Sequence, residues 1–377
     1  MRTVRDIRVL ENVPVMVRAA LNVPIEEGKV RNTFRLRQAV PTIRFLQERH
    51  ARVILIGHIG DTGTETLHPV YEAMREFLPK LSFCRATTGP EARAAVRALV
   101  PGEVLMLENL RRHSGEKNND PAFAADLAEL ADVFVEDSFD VCHRKHASVV
   151  GVPELLPSYA GLLVEHEVAE LTKALTPKRP SLAIIGGAKF STKQPVIKVL
   201  LERYDNVFVG GALSNDFLKA KGYPMEASLV SDADEAAIRE LLKHPRLVIP
   251  SDEIYAVPGA PASTGKAGLL DGKAPYEAVL DNGPRTVAHL MELVRNAKTV
   301  LWNGPLGNYE KGFVEGTERL ADAIARSGAY SVLGGGDTIA AVEKLGISGH
   351  FSFISTGGGA MLDFIAHGTL PGIEALS

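Results

Sequence analysis

Short apolar runs alternate along the chain with segments of helical spacing. Uninterrupted runs such as Val53–Gly57 (VILIG) and Leu182–Ile185 (LAII) are rich in Val, Ile and Leu, and polar residues follow each of them. Across Gly161–Leu175 the apolar residues instead recur every three or four positions, with charges on the other face. Continuous apolar strands between helices are typical of a parallel sheet covered on both faces. The pattern therefore predicts an α/β fold.

The alternation occurs twice, once on each side of the helix predicted at Gly161–Leu175, so we predict two domains. A helix is also predicted over Phe34–Arg49, and the predicted strands are Val13–Leu21, Val53–Gly57, Val104–Leu107, Val133–Val135, Leu182–Ile185, Val207–Val209, Leu247–Ile249, Thr299–Trp302, Ser331–Leu333 and Phe351–Ile354. The predicted bounds are an N-terminal domain at 1–158, an interdomain helix at 159–176, a C-terminal domain at 177–365 and a tail at 366–377. The tail sequence LPGIEALS is too short to be a domain element, so it needs a surface on which to pack.

Two glycine-rich loops stand out between Tyr330 and Leu362, in YSVLGGGDTIAAV and FISTGGGAML. Each is an apolar run, a triple glycine and the start of a helix. Glycine allows the backbone to approach a ligand closely, and a helix N-terminus offers unpaired N–H groups and a positive dipole end. The sequence therefore predicts a phosphate site, with Asp337 and Thr338 placed to hold a cation beside it.

Two common nucleotide motifs do not fit. The dinucleotide fingerprint G-x-G-x-x-G fails because Ile339 and Leu362 stand where the third glycine belongs. The Walker-like stretch Gly259–Lys266 (GAPASTGK) has the wrong glycine spacing, and Ala267 follows where Ser or Thr is needed. We predict that this Pro/Ala-rich stretch is a surface loop.

Composition and charge narrow the classes of partner. The chain has 377 residues, too many for one ordinary core, and a formal net charge of −4, which gives no general attraction to nucleic acid or acidic membranes. Two cysteines cannot form a disulfide framework and suit a reducing compartment. No signal peptide is recognisable at MRTVRDIRVL, and no apolar run is long enough to span a bilayer. We expect a cytoplasmic protein without a nucleic-acid or membrane partner.

Basic side chains recur just after the predicted strands of the first half. They are Arg18, Arg35, His58, Arg111, Arg112, His113, Arg144 and His146. Arginine suits bidentate recognition of carboxylate and phosphate, so this half is predicted to bind an anionic substrate. A metal site at CHRKH is not favoured, because no second ligand pair has matching spacing.

The second half carries the residues expected of a nucleotide site. Lys189 and Lys193 flank the start of a predicted helix, where cations oppose the dipole unless an anion lies between. Glu310 could accept hydrogen bonds from ribose hydroxyls or could simply be exposed. Transfer of a phosphoryl group requires positioning and charge neutralisation more than covalent chemistry. The two halves therefore suit an anionic substrate on one domain and a magnesium nucleotide on the other.

The chain resembles the phosphoglycerate kinase family over nearly its whole length. The motifs LENLR, HRKHAS, GGAKFSTK, WNGPLG, GGGDT and STGGGA occur in the order of that family. The resemblance implies two Rossmann-like domains, each a parallel sheet with helices on both faces, joined by a helix and hinge, with the tail returning to the N-terminal domain. It implies 3-phosphoglycerate on the first domain, ATP or ADP with Mg²⁺ on the second, closure about the hinge, and a cytoplasmic monomer.

The resemblance also implies individual residue roles. The implied catalytic residues are Arg35, Lys193 and Lys189. The implied substrate-binding residues are Arg18, Asn22, Arg35, His58, Arg111 and Arg144. The implied nucleotide-binding residues are Lys189, Lys193, Gly211, Asn303, Pro305, Glu310, Gly334, Gly335, Gly336, Asp337, Thr338, Gly357 and Gly358, and Asp337 would also take Mg²⁺.

Departures from the family pattern concentrate in the first half. Ala20 stands where the family's R-x-D-x-N motif has a carboxylate, and Asp61 replaces an arginine. Arg112 or Lys145 could restore the lost charge, or Asp61 could pair with one of the arginines. Other unusual positions are Glu136, Asp140, Val141 and Cys142. Three functions therefore stay open: phosphoglycerate kinase, a related kinase with another carboxylate acceptor, and a non-catalytic nucleotide-binding protein.

Overall fold

The computed structural model describes residues 1–232 and 234–376. This part of the chain divides into two compact units. Unit 1 comprises Met1–Ala169 together with the described residues from His367 onward, and unit 2 comprises Glu170–Ala366. Unit 1 is thus built from two separate stretches of the chain.

Unit 1 is organised around a six-stranded parallel sheet. Its strands are β1 (Pro14–Ala19), β4 (Arg52–Ile56), β5 (Leu81–Phe83), β6 (Val104–Met106), β7 (Val133–Asp137) and β8 (Ser158–Ala160), in the order β5-β6-β4-β1-β7-β8, and β2 (Ile25–Glu26) pairs separately with β3 (Lys29–Val30). The helices are α1 (Phe34–Gln47), α2 (His68–Met74), α3 (Gly89–Ala98), α4 (Pro121–Ala128), α5 (Val152–Leu155) and α6 (Leu162–Ala174), the last of which contains the unit boundary.

Unit 2 repeats this architecture with a second six-stranded parallel sheet. Its strands are β9 (Ser181–Ile185), β10 (Asn206–Val209), β11 (Leu247–Val248), β15 (Thr299–Asn303), β16 (Tyr330–Gly334) and β17 (Phe353–Ile354), in the order β11-β10-β9-β15-β16-β17. A small antiparallel sheet joins β12 (Glu253–Ala256), β13 (Lys266–Gly268) and β14 (Ala278–Asn282). The helices are α7 (Phe190–Arg203), α8 (Ala212–Ala220), α9 (Glu235–Leu242), α10 (Pro284–Asn296), α11 (Glu315–Ser327), α12 (Gly336–Lys344) and α13 (Gly358–His367).

The C-terminal segment forms a short helix, α14 (Pro371–Glu374), which the sequence did not predict. Pro371 suits the first position of a helix, where no N–H is needed. The N–H of Gly372 donates to the carbonyl of Cys142 at 2.8 Å, and a Cβ built on Gly372 would lie 2.9 Å from Val149. The segment therefore packs within unit 1.

All of the predicted strands are present, which confirms the predicted α/β fold. Their ends differ by a few residues: Val13–Leu21 shortens to β1 because the N–H of Leu21 turns back to the carbonyl of Ala19. Phe351–Ile354 likewise shortens to β17, and the helix predicted to Arg49 ends at Gln47. β2, β3, β5, β8 and the small sheet of unit 2 were not predicted from the sequence. None of the helices within the described residues is long and apolar enough to cross a bilayer.

Burial explains why the strands are continuous apolar runs. Val15, Met16 and Val17 of β1 are fully buried because helices cover the parallel sheet. All residues of β7 are buried too, including Glu136 and Asp137 at its carboxyl end. Ligands bind at the carboxyl ends of strands in such sheets. The functional site of unit 1 is therefore expected at the sheet edge where these two carboxyl groups lie.

Candidate functional site

The predicted anion-binding residues of unit 1 lie close enough to act on one another. Burial, and then the positive charges of Arg18 and Arg111, lower the pKa of His58 well below its usual value, and Arg35 contributes in the same direction. Burial and Arg18 also lower the pKa of His146 to about 4, with a further contribution from Arg144. Both imidazoles are therefore neutral at pH 7 and offer hydrogen bonds, while the arginines carry the charge.

Arg18 lies beneath this cluster and is fully buried. Its Nε donates to Ser148 Oγ at 2.9 Å, and its Nη2 lies 3.7 Å from Oε1 of the equally buried Glu116. Glu116 Oε1 also accepts a hydrogen bond from Ser148 Oγ at 2.6 Å. Opposite charges that are buried together offset part of the cost of leaving water. In this position Arg18 supplies positive potential from within the sheet rather than an exposed donor.

Arg111 and Arg112 are each paired with a carboxylate. Arg111 Nη1 lies 2.6 Å from Oδ1 of Asp61, whose side chain is 90% exposed, and it also donates to the carbonyl of Gly60. Arg112 Nη1 lies 3.1 Å from Oε2 of the buried Glu108. Asp61 thus pairs with an arginine, which was one of the possibilities raised by the sequence. Arg112 instead forms an ion pair with Glu108.

Arg35 joins the segments that follow β1 and β7. Its Nη1 donates to the carbonyl oxygen of Asn22 at 2.8 Å and lies 3.7 Å from Asp140 Oδ2. Asn22 Oδ1 accepts a hydrogen bond from the N–H of Gly60 at 3.1 Å. These contacts hold Arg35 at the sheet edge among the other predicted residues. Arg144 is exposed on the following turn.

Glu136 is a buried acid that sequence reasoning noted only as unlike the family. It is opposite Arg18 in the register of β1 and β7, and its Oε1 accepts the N–H of Ser138 at 2.9 Å. Burial raises the pKa of Glu136 to about 8, against the opposing effect of Arg18. The folded protein therefore holds this carboxyl protonated at neutral pH, which costs less than a buried charge.

The native protein should lose stability as pH rises because of Glu136, and we expect the Glu136→Gln variant not to show this loss. The unfolded side chain ionises above its usual pKa near 4.5, whereas the folded one stays neutral until about pH 8, so ionisation favours the unfolded state across that window. At about 1.4 kcal/mol per pKa unit, the variant should gain roughly 3–4 kcal/mol over the native chain between pH 5 and pH 9.

Amide hydrogen exchange in β1 and β7, corrected for intrinsic rates, measures this difference within unit 1. Fluorescence would report the other unit, because Trp302 is the one tryptophan of the chain. Glu11→Gln, at an exposed position of unit 1, is the matched control and should show no pH-dependent gain. Parallel pH profiles for the native chain and Glu136→Gln would contradict the prediction.

In unit 2, glycine backbones come together at the carboxyl ends of β9, β10 and β15. A Cβ added to Gly186 would lie 2.2 Å from the carbonyl oxygen of Pro305, and one added to Gly211 would lie 2.8 Å from the nitrogen of Gly187. Gly211 also has a positive φ of 63°. Only glycine permits this close approach of three loops.

The two glycine loops predicted from the sequence open α12 and α13 as expected. Asn303 Nδ2 donates to the carbonyl of Gly358 at 3.3 Å, which links β15 to the second loop. Thr338 is buried and its Oγ1 accepts the N–H of Gly304 at 3.1 Å, so this hydroxyl fixes the first loop. A Cβ at Gly336 would meet no atom within 4 Å, so open space adjoins the first turn of α12. The remaining predicted glycines of these loops are Gly334, Gly335 and Gly357.

A cavity of about 780 Å³ lies within unit 2, a size typical of small-molecule sites. The predicted residues that line it are Gly211, Pro305, Glu310 and Asp337. Leu280 and Phe313 contribute apolar surface on which a flat ring could pack. The loop beginning at Gly259, which the sequence marked only as surface, forms part of the wall; its composition carries no signal for this role.

The two predicted lysines lie at the start of α7. Lys189 precedes the helix with a φ of 63°, a conformation that costs a non-glycine residue energy and that clusters at functional sites. Lys193 lies in the first turn, where burial lowers its pKa to about 8 against the opposing charge of Asp363. An anionic ligand near this helix end would restore the charged form of Lys193.

Asp337 is a carboxylate of unit 2 whose surroundings suit a cation that a nucleotide would bring. Burial, and then the charge of Glu310, raise the pKa of Asp337, so a cation beside Asp337 would relieve an unfavourable charge. Within the described residues no group of three or more His, Cys, Asp or Glu side chains is arranged to hold a metal. One carboxylate together with phosphate oxygens is a common way to bind Mg²⁺.

Comparisons with known proteins agree along the whole chain. The phosphoglycerate kinase family matches residues 4–367. Phosphoglycerate kinase from Moorella thermoacetica is 42% identical, with 100% of this chain and 98% of the relative covered. That from Thermus thermophilus is also 42% identical, with 96% of each chain covered.

Solved structures show the same likeness. Phosphoglycerate kinase from Coxiella burnetii matches with a TM-score of 0.83 at 36% identity, over 99% of this chain and 98% of the other. The enzyme from Pyrococcus horikoshii matches with a TM-score of 0.87 at 30% identity, over 100% and 98% respectively. This chain belongs to the phosphoglycerate kinase family.

Proposed function

We propose that this protein reversibly transfers a phosphoryl group between 1,3-bisphosphoglycerate with ADP and 3-phosphoglycerate with ATP, a step of glycolysis. The observation that carries the proposal is the pairing of two sites in one chain of this family. Unit 1 gathers Arg35, Arg111 and Arg144 around two neutral histidines, and unit 2 has a glycine-lined cavity beside Asp337. One site suits an anionic acid and the other suits a nucleotide.

In unit 1, the acid would bind through the charges of Arg35, Arg111 and Arg144. His58 would contribute a hydrogen bond, since its lowered pKa keeps it neutral. Asn22 would contact the substrate and help hold Arg35 through its carbonyl oxygen. The acceptor oxygen belongs to a carboxylate that is already ionised, so no general base is required, and catalysis depends on position and charge.

In unit 2, the nucleotide phosphates would lie against the glycine loops, with Glu310 near the ribose. Lys193 would neutralise charge on the transferring group, and Lys189 would contact the same charge or the nucleotide phosphates. Asp337 would hold Mg²⁺. The ion supplies neutralisation of phosphate charge and fixes phosphate geometry.

The proposal includes Mg²⁺ as cofactor, a closing movement that lets the two substrates meet, and a cytoplasmic monomer. Both cysteines are free and buried, which fits a reducing compartment. The net charge of −4 gives no support for a nucleic-acid partner.

A coupled assay with ATP, Mg²⁺ and 3-phosphoglycerate tests the proposal, and we expect turnover well above ATP hydrolysis in the absence of the acid. The assay should run beside calorimetric titration with ADP, which reports the nucleotide site alone. Nucleotide binding without transfer to 3-phosphoglycerate or to other phosphorylated acids would overturn the proposal and favour a non-catalytic protein.

A related kinase with another carboxylate acceptor is the second candidate, and the Asp61–Arg111 pair favours it. A carboxylate 2.6 Å from Arg111 Nη1 competes with an incoming phosphate for that side chain. This candidate predicts ATP consumption that is accelerated by another acid and not by 3-phosphoglycerate. The same assay with a panel of phosphorylated and dicarboxylic acids separates the two.

A further inference from the structure

Asp140 places a carboxylate at the edge of the unit 1 site. It lies on the turn Phe139–Val141 just after β7, and its side chain is only 6% exposed. Ser138 Oγ donates to Asp140 Oδ1 at 2.6 Å, which fixes the orientation of the carboxylate. Its Oδ2 lies 3.7 Å from Arg35 Nη1, beyond hydrogen-bond length, so this contact is an ion pair rather than a hydrogen bond. A lone pair of Oδ2 therefore remains able to accept a hydrogen bond from a ligand.

The segment after β1 lies beside this turn but offers no comparable acceptor. β1 and β7 are neighbours with Ala19 opposite Asp137, so the residues after each strand meet at one sheet edge. Ala20 has no polar atom in its side chain, and Asn22 Oδ1 already accepts the N–H of Gly60. Arg35 Nη1 contacts both segments, through the Asn22 carbonyl and through Asp140.

The nearby buried acids are less suited to receive a ligand hydroxyl. Glu136 is fully buried and protonated at neutral pH, and its Oε1 is occupied by the N–H of Ser138. Asp137 is also fully buried, and its Oδ1 accepts the N–H of Leu163 at 2.9 Å. Asp140 is the carboxylate in this group that combines slight exposure with contact to Arg35.

We propose that Asp140 determines acceptor specificity by accepting a hydrogen bond from a hydroxyl on the carbon next to the acceptor carboxylate, while the Arg35 that it pairs with binds the anionic group. This inference rests on the proposed kinase function. It defines the acceptor class as phosphorylated 2-hydroxy acids. A hydrogen bond to a charged acceptor distinguishes a substrate from its deoxy analogue by about tenfold to a hundredfold.

The experiment compares 3-phosphoglycerate with its 2-deoxy analogue, 3-(phosphonooxy)propanoate. Calorimetry measures the affinity for each acid, and the coupled assay measures kcat/KM. We expect the native protein to prefer the hydroxy acid by about tenfold or more. Asp140→Asn should reduce that preference to below about threefold, because a neutral amide oxygen is a weaker acceptor. Asp126→Asn, at an exposed position on α4, is the matched control and should keep the preference.

Each outcome bears on the inference separately from the function. A native protein that phosphorylates both acids equally well would overturn it without any variant. An equal loss for both acids in Asp140→Asn would also overturn it, because Asp140 would then only position Arg35. No transfer to either acid by the native protein would instead refute the proposed function on which the inference rests.

Discussion

Lys193→Ala should lower turnover at least about a hundredfold while leaving nucleotide binding within a fewfold of the native value. Removing one preorganised group that stabilises transition-state charge costs about two to three orders of magnitude in rate. Lys193 lies in the first turn of α7, and burial lowers its pKa to about 8, so its charge is costly unless an anion is nearby. A transferring phosphoryl group is such an anion, and its charge is greatest during transfer.

The measurement is the coupled assay with saturating ATP, Mg²⁺ and 3-phosphoglycerate, together with calorimetry of ADP binding. Lys198→Ala, on the exposed side of the same helix, is the matched control and should retain activity. A Lys193→Ala variant with undiminished turnover would remove this lysine from the chemistry.

The pH profile gives an independent readout of Lys193. The cationic form is required, so kcat/KM should fall about tenfold per pH unit above pH 8 in the native protein. The arginine of Lys193→Arg stays charged over this range, so kcat/KM of this variant should not decline above pH 8, even if its rate is lower. Persistence of the same decline in Lys193→Arg would assign it to another group.

The fold was predictable because most strands are continuous apolar runs that the parallel sheets bury. The missed strands have physical reasons. β5 (Leu81–Phe83, LSF) and β8 (Ser158–Ala160, SYA) each contain a serine and so lack the continuous apolar run that marks the equally short β6 (VLM). In the small antiparallel sheet, β13 (Lys266–Gly268) contains an exposed lysine, and β12 and β14 contain buried polar residues such as Glu253 and Asn282, so none of the three strands is a continuous apolar run.

The site was predictable where chemistry is local and was missed where it depends on sheet order. The loops that open α12 and α13 need glycine for their own backbone, so they are visible in the sequence. The contact of Arg35 with Asp140 exists because β1 and β7 are neighbours in the sheet, although they are distant in the chain. The protonated state of Glu136 is set by burial, which the sequence reports only as an unusual residue.

The charge of Asp337 should have opposite effects on nucleotide affinity with and without Mg²⁺, and the effect with Mg²⁺ should be large. It lines the nucleotide cavity at the start of α12. Burial raises the pKa of Asp337, and the charge of Glu310 raises it further. A bare nucleotide brings only negative charge to these carboxylates, so Asp337 repels it. A nucleotide that carries Mg²⁺ offers a cation for which a carboxylate oxygen is a preferred ligand.

We therefore expect Asp337→Asn to weaken binding of Mg·ADP by about tenfold to a hundredfold, while binding of ADP in the presence of a chelator stays equal or becomes tighter. Calorimetric titration under both conditions measures the two affinities in the same preparation. Asp322→Asn, which removes a surface partner of Arg326 on α11, should change neither affinity. A structural defect in the cavity would weaken both forms of ADP alike, so the opposite responses are the signature of a metal-binding carboxylate. Equal weakening of Mg·ADP and free ADP would refute the assignment of Mg²⁺ to Asp337 and leave that side chain with a role in holding the glycine loop.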